Sequence, residues 1–352
     1  MQDVAIVSFV QSDCVRHAGA QNEVELIMPV VQAALKEAGL ISVQDVDFTC
    51  SGSCDYQQGA AFAFVAGVDA LGAVPPIKES HVEMDAAWAL YESWLKIQMG
   101  QAESALIYGF GKSSPGQLSN VLSLQLDPYY LAPLGVDTIS LAAMQARSLL
   151  ESGEVSEVDL AEVVVNSRAN AKNNPHAQLS GDFTVDQLLA EPETVSPLRK
   201  HDCCPISDGA AAMIICTVEK AKAMGKPYAV IKGIDHRIET HHVTLRDLRR
   251  SPSVEIAAKK AGVHDAPVDV AEIYAPFSHQ EIIVKRALGL DDSVAINPSG
   301  GVLAGHLFMA SGLSRVGEVA KRIIAGEYKR GVAHATSGPC LQQNMITVLE
   351  GM

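Results

Sequence analysis

Residues 297–312 combine side chains and backbone positions that can stabilise negative charge. The stretch reads N-P-S-G-G-V-L-A-G-H-L-F-M-A-S-G and ends at the start of a predicted helix over 310–324. Backbone N–H groups at a helix N-terminus attract anions, so Gly300, Gly301 and His306 are candidates for holding a ligand's developing oxyanion. The same spacing also fits a tight turn with His306 merely packed beside it. The residues alone leave both interpretations open.

Strands and helices alternate on both sides of this stretch. Apolar runs of strand length and segments with helical spacing indicate a layered α/β sheet. The predicted strands are 4–9, 46–49, 105–110, 228–234, 268–274, 294–296, 331–335 and 345–350, and the predicted helices are 23–40, 86–99, 254–262, 279–288 and 310–324.

Two sequence echoes indicate that the chain is internally duplicated. K-E-A-G-L at 36–40, followed by V-D-F, is echoed by K-K-A-G-V at 259–263, followed by V-D-V. Likewise G-Q-A-E-S-A-L-I-Y-G at 100–109 is echoed by G-E-Y-K-R-G-V-A-H-A at 326–335. Similar offsets in the two halves predict a repeated β-α-β-α-β-α-β unit.

A loop-rich region, without the alternation of strands and helices, separates the two halves. It contains predicted helices over 138–152 and 157–173, the second with a capping box from Ser156 to Asp159, and a polar, irregular run over 178–197. Loop-rich insertions of this kind commonly cover a ligand site. We therefore predict an N-terminal half of residues 1–118 plus 195–225, a loop domain of residues 119–194, and a C-terminal half of residues 226–352.

Composition narrows the classes of function. The net charge is −14, with 19% charged and 48% hydrophobic residues, which favours a compact α/β protein and makes nucleic acid an unfavourable partner. The seven cysteines are scattered, and no apolar run is long enough to span a bilayer. We expect a reduced, cytoplasmic protein with no signal peptide and no metal site.

Four stretches of the chain resemble sequence signatures of the thiolase superfamily. The 297–312 stretch is similar to that family's N-x-x-G-G-x-x-x-x-G-H-P-x-G-A-x-G signature, and three further stretches agree in order: S-R-A-N-A-K-N-N-P-H-A at 167–177, D-C-C-P-I-S-D-G-A-A-A at 202–212 and I-Y-A-P-F-S at 273–278. The resemblance implies a five-layer α-β-α-β-α fold, a loop domain over an acyl-CoA site, and a dimer.

The departures from the family pattern are informative. Thiolases carry a nucleophilic cysteine at the N-terminus of the buried helix that follows the third strand, where the helix dipole stabilises a thiolate. An alignment of the predicted helix without gaps places Glu83 there, within H-V-E-M-D-A-A-W-A-L, and no cysteine lies between Cys54 and Cys203. Glu83 and Asp85 are therefore either catalytic carboxylates or helix caps.

The family's second cysteine is also displaced. Counting back from the last strand places Gly338 at its position and Cys340 two residues later. Cys340 is then either a shifted catalytic thiol or a small buried residue.

Two positions of the family's site remain occupied by hydrogen-bonding groups. The resemblance implies that His306 and Tyr274 face the thioester oxygen of an enolate, where each donor lowers a barrier by roughly 3–4 kcal/mol. Retro-aldol cleavage of a 3-hydroxyacyl-CoA needs such an enolate but no nucleophile. We assign His306 as oxyanion donor, Tyr274 as acid or base near the β-hydroxyl, and Glu83 or Asp85 as a second titrating or orienting group, with His279 as a further possible base.

A thiolase-like chain with these site residues and without the thiolase cysteines resembles the thiolase-like aldolases of steroid side-chain degradation, also known as lipid-transfer proteins. They lack the thiolase cysteines, cleave a 17-hydroxy steroid acyl-CoA to a ketone and a short acyl-CoA, and work with a small DUF35 (OB-fold) protein. Bulky residues suit either a steroid or core packing: Trp88, Tyr91, Trp94, Tyr129 and Tyr130.

The remaining expectations concern binding and alternatives. CoA would enter as part of the substrate, with no separate cofactor, and Arg237, Arg246 and Arg249 are candidates for its phosphates. Alternative functions are a catalytically silent scaffold subunit of a DUF35-containing complex and an acyltransferase (thiolase) that uses Cys340.

Overall fold

The apolar runs of the sequence form one large sheet in the computed structural model, which describes residues 2–59 and 61–351. The terminal residues 1 and 352 of the two predicted halves lie outside this description. The strands are β1 Val4–Gln11, β2 Phe48–Gly52, β3 Glu79–Val82, β4 Ser104–Gly111, β5 Glu193–Val195, β6 Leu198–Arg199, β7 Gly209–Thr217, β8 Ala229–Ile238, β9 Val270–Ile273, β10 Ala295–Ile296, β11 Arg330–Ser337 and β12 Gln343–Glu350.

The order of the strands shows the duplication. Ten strands of the described residues form one sheet in the order β10-β9-β11-β12-β8-β1-β7-β4-β2-β3. Counted outward from the centre, β1-β7-β4-β2-β3 corresponds strand for strand to β8-β12-β11-β9-β10. The halves meet where Val4 to Ile6 of β1 pair antiparallel with Ala229 to Ile231 of β8.

The helices begin and end at recognisable signals. The side chain of Asn22 caps the first long helix together with Glu25, and Gly39 ends it with a φ of 78°. The helices are α1 Glu23–Ala38, α2 Asp55–Gln58, α3 Phe64–Leu71, α4 Ala86–Gln98, α5 Leu118–Ser123, α6 Thr138–Glu151, α7 Glu157–Ala171, α8 Val185–Leu189, α9 Val218–Met224, α10 Pro252–Ala261, α11 Ser278–Leu288, α12 Gly301–Ala304 and α13 Ser311–Ile324.

Packing of these elements gives five layers. Helices α4 and α13 contact each other and lie between the two halves of the sheet, in a core built from both halves. Helix α1 covers the outer face of the N-terminal half, and α10 and α11 cover the outer face of the C-terminal half. The predicted α-β-α-β-α order with duplicated halves is confirmed.

Two strands of the large sheet, β3 and β7, and both strands of the small β5–β6 hairpin escaped the sequence analysis. Strand β3 reads E-S-H-V, which lacks a continuous apolar run because it lies at the edge of the sheet and pairs only with β2. Strand β7 is fully buried between β1 and β4, but its alanine-rich start hides it from a search for large apolar residues.

The segment between β4 and β7 contains α5 to α8 and the small β5–β6 hairpin. The predicted capping box is present, since the Ser156 and Asp159 side chains each accept from the other's backbone N–H at the start of α7. Among the described residues, no helix has both the length and the apolar character needed to cross a membrane.

Candidate active site

The buried carboxylate of Asp85 joins the N-termini of the two central helices. It is the N-cap of α4, where Oδ1 accepts from the Ala87 N–H at 2.7 Å. The same side chain accepts from the N–H groups of Gly312 at 2.8 Å and Leu313 at 3.1 Å, at the start of α13. Both helices thus direct otherwise unsatisfied N–H groups, and the positive ends of their dipoles, at one side chain.

Burial sets the charge state of Asp85. The side chain is 2% exposed, and loss of water raises its pKa from 3.8 to about 7. The three backbone N–H groups and the charge of Arg315 act in the opposite direction and limit this rise of the pKa. A carboxyl group with a pKa near 7 can both accept and release a proton at physiological pH.

Tyr274 and His306 form a hydrogen-bonded pair from two loops of the C-terminal half. Tyr274 directly follows β9, and His306 lies between α12 and α13, with 2.7 Å between Tyr274 Oη and His306 Nε2. His306 therefore precedes α13 by several residues, in agreement with a predicted helix that begins at residue 310. On its other side, His306 Nδ1 lies 3.5 Å from the Sγ of Cys204.

Both members of the pair are neutral at physiological pH. Burial, with the negative charge of Asp85 as the next cause, raises the pKa of Tyr274 well above its usual value of 10. Burial and the nearby Arg315 lower the pKa of His306 to about 4. Tyr274 can therefore donate a proton or a hydrogen bond, but its protonated hydroxyl is not a base at this pH. Of the two roles expected for Tyr274, acid or base, the structure favours the acid.

These groups line one cavity of about 530 Å³. Asp85, Cys204, Tyr274 and His306 provide polar atoms at its wall. Much of the remaining wall is apolar. One part comes from α5, α6 and the segment between them: Leu118, Leu122, Leu126, Ile139 and Ala142. The other part comes from loops before β7, α11 and α13 and between β11 and β12: Ile206, Phe277, Phe308, Met309 and Leu341. A mostly apolar cavity with a few convergent polar groups is the usual form of a small-molecule site.

Glu83 does not contribute to this cavity. Its side chain is exposed and accepts from the backbone N–H of Asp55 at 2.5 Å. The placement of Glu83 at the N-terminus of the buried helix is wrong by two residues, because α4 begins at Ala86 and Asp85 is its cap. The carboxylate at the N-terminus of the buried helix is Asp85.

Cys340 lies on the cavity wall in a structural role. It is 5% exposed, its Sγ donates to the Leu141 carbonyl oxygen at 3.5 Å, and burial raises its pKa to about 11. Its φ is 54°, a strained value for a residue with a side chain. Arg246 stabilises this loop, donating to the Cys340 carbonyl oxygen at 2.6 Å and to the Leu341 carbonyl oxygen at 3.2 Å.

Arg246 is therefore not available for a phosphate. Its side chain is 4% exposed and pairs with Glu239 at 3.0 Å. Arg237 pairs with Asp235 on β8, outside the cavity. The prediction that Arg246 meets CoA phosphates is wrong, because Glu239 and backbone carbonyl groups already occupy its donors. Arg237 is half-exposed, so its predicted contact with the phosphates stays a prediction.

Arg249 has a different position. It lines an open groove of about 920 Å³, which shares α6 with the cavity and also contains Arg147. Arg249 is half-exposed and paired with Asp247 at 2.9 Å, whereas Arg147 donates to Ser196 Oγ at 2.8 Å. Of the three predicted arginines, Arg246 and Arg249 line this groove, and of these two only Arg249 is exposed.

The glycine pair forms a turn rather than an anion site. Gly300 and Gly301 have φ values of 92° and 62°, which only glycine adopts readily. Their N–H groups donate to the Asn297 carbonyl oxygen at 2.8 Å and to Ser299 Oγ at 3.2 Å, so neither is free for a ligand. The expected oxyanion cradle at these glycines is wrong.

Several other sequence candidates lie outside the cavity. His279 is fully buried rather than on the helix surface, bonds Gln145 at 3.2 Å, and has a pKa that burial lowers to about 3. Trp88 packs in the central core, and Tyr129 and Tyr130 are exposed. Throughout residues 2–59 and 61–351, no cluster of His, Cys, Asp or Glu could hold a metal ion.

Cys204 is a cavity residue that sequence reasoning missed. It lies in the D-C-C-P-I-S-D-G run, which contributes to the family resemblance, but no spacing rule links it to a histidine 102 positions later. The contact arises because this run folds against the loop after β9, where the Cys204 N–H donates to the Pro276 carbonyl oxygen at 2.8 Å.

Comparison with known proteins gives this site a family context. Residues 234–348 match the model of the thiolase C-terminal domain. An acetyl-CoA acetyltransferase of Methanocaldococcus jannaschii is 29% identical over 355 residues, covering 91% of this chain and 89% of the relative. Sterol carrier protein 2 of Gallus gallus is 26% identical, with 89% of this chain and 64% of the relative covered.

Solved structures agree on the fold. An Ltp2-ChsH2(DUF35) aldolase superposes with a TM-score of 0.81 at 19% identity, over 99% of this chain and 98% of that one. Human mitochondrial 3-ketoacyl-CoA thiolase superposes with a TM-score of 0.80 at 19% identity, over 100% and 99% of the two chains. The chain thus contains a thiolase C-terminal domain over residues 234–348, has the fold of the thiolases, and resembles the sterol carrier protein 2 type of thiolase along most of its length.

Proposed function

We propose that this protein is a carbon–carbon lyase that cleaves a 3-hydroxyacyl-CoA by a retro-aldol reaction. One observation carries the proposal: the cavity pairs a neutral Tyr274–His306 donor with a carboxylate, Asp85, at the helix terminus where the family resemblance expects an acyl-accepting thiol. A carboxylate at that position suits proton transfer and is a poor acyl acceptor.

The reaction needs no covalent intermediate and no oxidant. Asp85 takes the proton of the substrate's β-hydroxyl, the Cα–Cβ bond breaks, and its electron pair moves onto the thioester as an enolate. The hydroxyl carbon becomes a ketone or aldehyde. The proton held by Asp85 can return to Cα, which gives the shorter acyl-CoA and restores the carboxylate.

Tyr274 stabilises the enolate in this scheme. Since its pKa lies well above 10, its hydroxyl remains protonated and donates to the thioester oxygen. His306 holds that hydroxyl from behind at 2.7 Å and therefore supports the oxyanion through Tyr274. Asp85 supplies the base, because its pKa of about 7 matches the operating pH.

The proposed substrate has a bulky apolar acyl group. The apolar wall from α5, α6 and their loops suits a rigid ring system, which supports a 17-hydroxy steroid side-chain CoA ester as the substrate. We place the nucleotide end of CoA in the adjoining groove, where Arg147 and Arg249 would face its phosphates. The reaction would take place in the cytoplasm, on a dimer.

A DUF35 protein is the proposed partner. The support is the name of one structural neighbour, an Ltp2-ChsH2(DUF35) aldolase, whose chain has the same fold at 19% identity. The partner's contribution would be tested by adding it to the lyase assay.

Acyl transfer is the competing function, favoured by the acetyl-CoA acetyltransferase name of a relative 29% identical to this chain. It would require a thiol, and Cys340 is the predicted candidate. Its thiol is engaged by a backbone carbonyl group and its pKa is raised to about 11, which disfavours a thiolate.

One experiment separates these functions. The purified protein, with and without a DUF35 protein, is incubated with a 17-hydroxy steroid acyl-CoA, and the ketone and short acyl-CoA are followed by mass spectrometry. We expect stoichiometric release of both products. An acyl group on Cys340 would instead establish acyl transfer, and no product under either condition would favour the scaffold function.

A further inference from the structure

We propose that Cys204 is a positioning residue, whose thiol fixes the tautomer of His306 so that the Tyr274 hydroxyl points its proton into the cavity. This inference rests on the proposed function for its catalytic consequence. Its structural content, the direction of the hydrogen bonds from Cys204 to Tyr274, is independent of the substrate.

The three side chains form a continuous chain of hydrogen bonds. Cys204 Sγ lies 3.5 Å from His306 Nδ1, and His306 Nε2 lies 2.7 Å from Tyr274 Oη. A neutral imidazole carries one proton, so one of its nitrogens donates and the other accepts. Two directions are therefore possible along the chain.

In the first direction every proton has an acceptor. The Cys204 S–H donates to Nδ1, the Nε2–H donates to Tyr274 Oη, and the tyrosine proton is left to point away from His306. The Phe308 carbonyl oxygen, at 3.5 Å, is a distant acceptor for that proton at rest. A substrate oxygen placed closer would accept it instead.

The opposite direction leaves a donor without an acceptor. There the tyrosine proton is donated to Nε2, Nδ1–H is donated to sulfur, and the Cys204 S–H has no further partner within the described part of the chain. Sulfur is also a weak acceptor. Moreover, this direction turns the tyrosine proton away from the cavity, where it cannot stabilise an enolate.

The surrounding backbone holds Cys204 in place for this task. Its N–H donates to the Pro276 carbonyl oxygen at 2.8 Å, two residues after Tyr274. Three residues after Cys204, Ser207 Oγ accepts from the backbone N–H of His306 at 3.0 Å. The run that carries the thiol thus bonds to the loops of both other members.

Cys204 is suited to donate rather than to attack. It faces the cavity, yet burial raises the pKa of its thiol to about 12, whereas burial lowers the pKa of His306 to about 4. Transfer of the proton from sulfur to the imidazole is therefore strongly unfavourable. The pair differs in this respect from a catalytic cysteine–histidine dyad, in which the thiolate is populated.

The direct test is the tautomer of His306, read from the nitrogen chemical shifts of protein labelled with ¹⁵N-histidine. The His306→Gln variant assigns the signals. We expect Nε2 protonated and Nδ1 unprotonated in the wild type and in Cys204→Ser, which keeps the donor. In Cys204→Ala we expect the Nδ1-protonated tautomer to become populated. A wild-type His306 protonated at Nδ1 would overturn the proposal, whether or not the protein has lyase activity.

The kinetic test uses the same variants with the acyl-CoA substrate. Loss of one neutral hydrogen bond should lower kcat of Cys204→Ala about tenfold with little change in KM, and Cys204→Ser should restore most of it. An unchanged kcat in a folded Cys204→Ala protein would contradict the proposal, as would an acyl group on Cys204 found by mass mapping. Should Cys204→Ala fail to fold, the wild-type tautomer and the Cys204→Ser variant still decide the question.

Discussion

The two halves of this molecule share a strand order but contribute to the site in different ways. In the N-terminal half, residues 83–85 connect β3 to the central helix α4, and the last of them caps the helix. In the C-terminal half, residues 297–310 connect β10 to α13 and include His306. The short connection fixes one carboxylate, whereas the long one has room for a loop that carries a side chain across the cavity.

The two halves therefore position their site residues by different means. Asp85 is placed by helix termini, so its position depends on backbone geometry that both halves share. Tyr274 and His306 are placed by each other and by Cys204, so their positions depend on side-chain identity. A duplicated scaffold can therefore retain its central helices while the chemistry changes in one connecting loop.

The strongest test of the comparison removes the charge supplied by the N-terminal half. Asp85→Asn keeps the shape of the side chain but removes the base, so we expect kcat to fall by about 10²–10⁴. Glu83→Gln, two residues earlier and exposed, is the matched control and should retain wild-type activity. If the two variants behave alike, Asp85 is only a helix cap.

The corresponding test for the C-terminal half is Tyr274→Phe. Loss of one oxyanion donor should lower kcat by about 10²–10³, with a smaller effect on KM because the donor acts on charge that develops during the reaction. Tyr130→Phe, in an exposed loop residue, is the control. A change confined to KM would assign Tyr274 to substrate binding instead.

The pH dependence identifies which half carries the titrating group. Since burial raises the pKa of Asp85 to about 7, activity should rise with pH through that value, about tenfold per unit below it. The pKa of His306 is about 4, too low to account for such a profile. A rate that is flat from pH 5 to 8 would exclude Asp85 as the base.

Gly312→Ala tests the contact between the halves. A Cβ at this position would lie 2.5 Å from Asp85 Oδ1, so we expect a loss of about 1–3 kcal/mol in the free energy of unfolding, measured by denaturant titration. Gly116→Ala, where nothing lies within 4 Å of the added atom, is the control. Equal stability of both variants would show that the two helix termini can move apart at little cost.

The smallest expected effect lies outside both halves. Arg249→Ala removes an exposed guanidinium from the groove, which should raise KM for acyl-CoA a few fold, and less at high salt, without changing kcat. Arg237→Ala, paired with Asp235 away from the groove, is the control. Equal KM values for both variants would place the CoA phosphates elsewhere.

The sequence predicts the scaffold better than the site. Long apolar runs and helix caps locate most central strands and helices to within a few residues, since burial and capping act locally. The predicted helix over 86–99 begins where α4 begins, but the choice between Glu83 and Asp85 could not be made from the sequence, because the bonds from Asp85 to the start of α13 depend on tertiary packing. Cys204, and the role of Arg246 in holding the Cys340 loop, escaped for a related reason: their partners are brought close only by tertiary packing.

Helices α4 and α13 share the carboxylate of Asp85. The proton affinity of Asp85 therefore depends on the distance between the N-termini of these two helices. Protonation of Asp85 turns one acceptor oxygen into a hydroxyl and weakens a hydrogen bond to one of the helices. By linkage, anything that draws the helices together lowers the affinity of Asp85 for its proton, and anything that separates them raises it. A substrate that contacts both repeats would thus change the pKa of Asp85, the base that acts on it, as it binds.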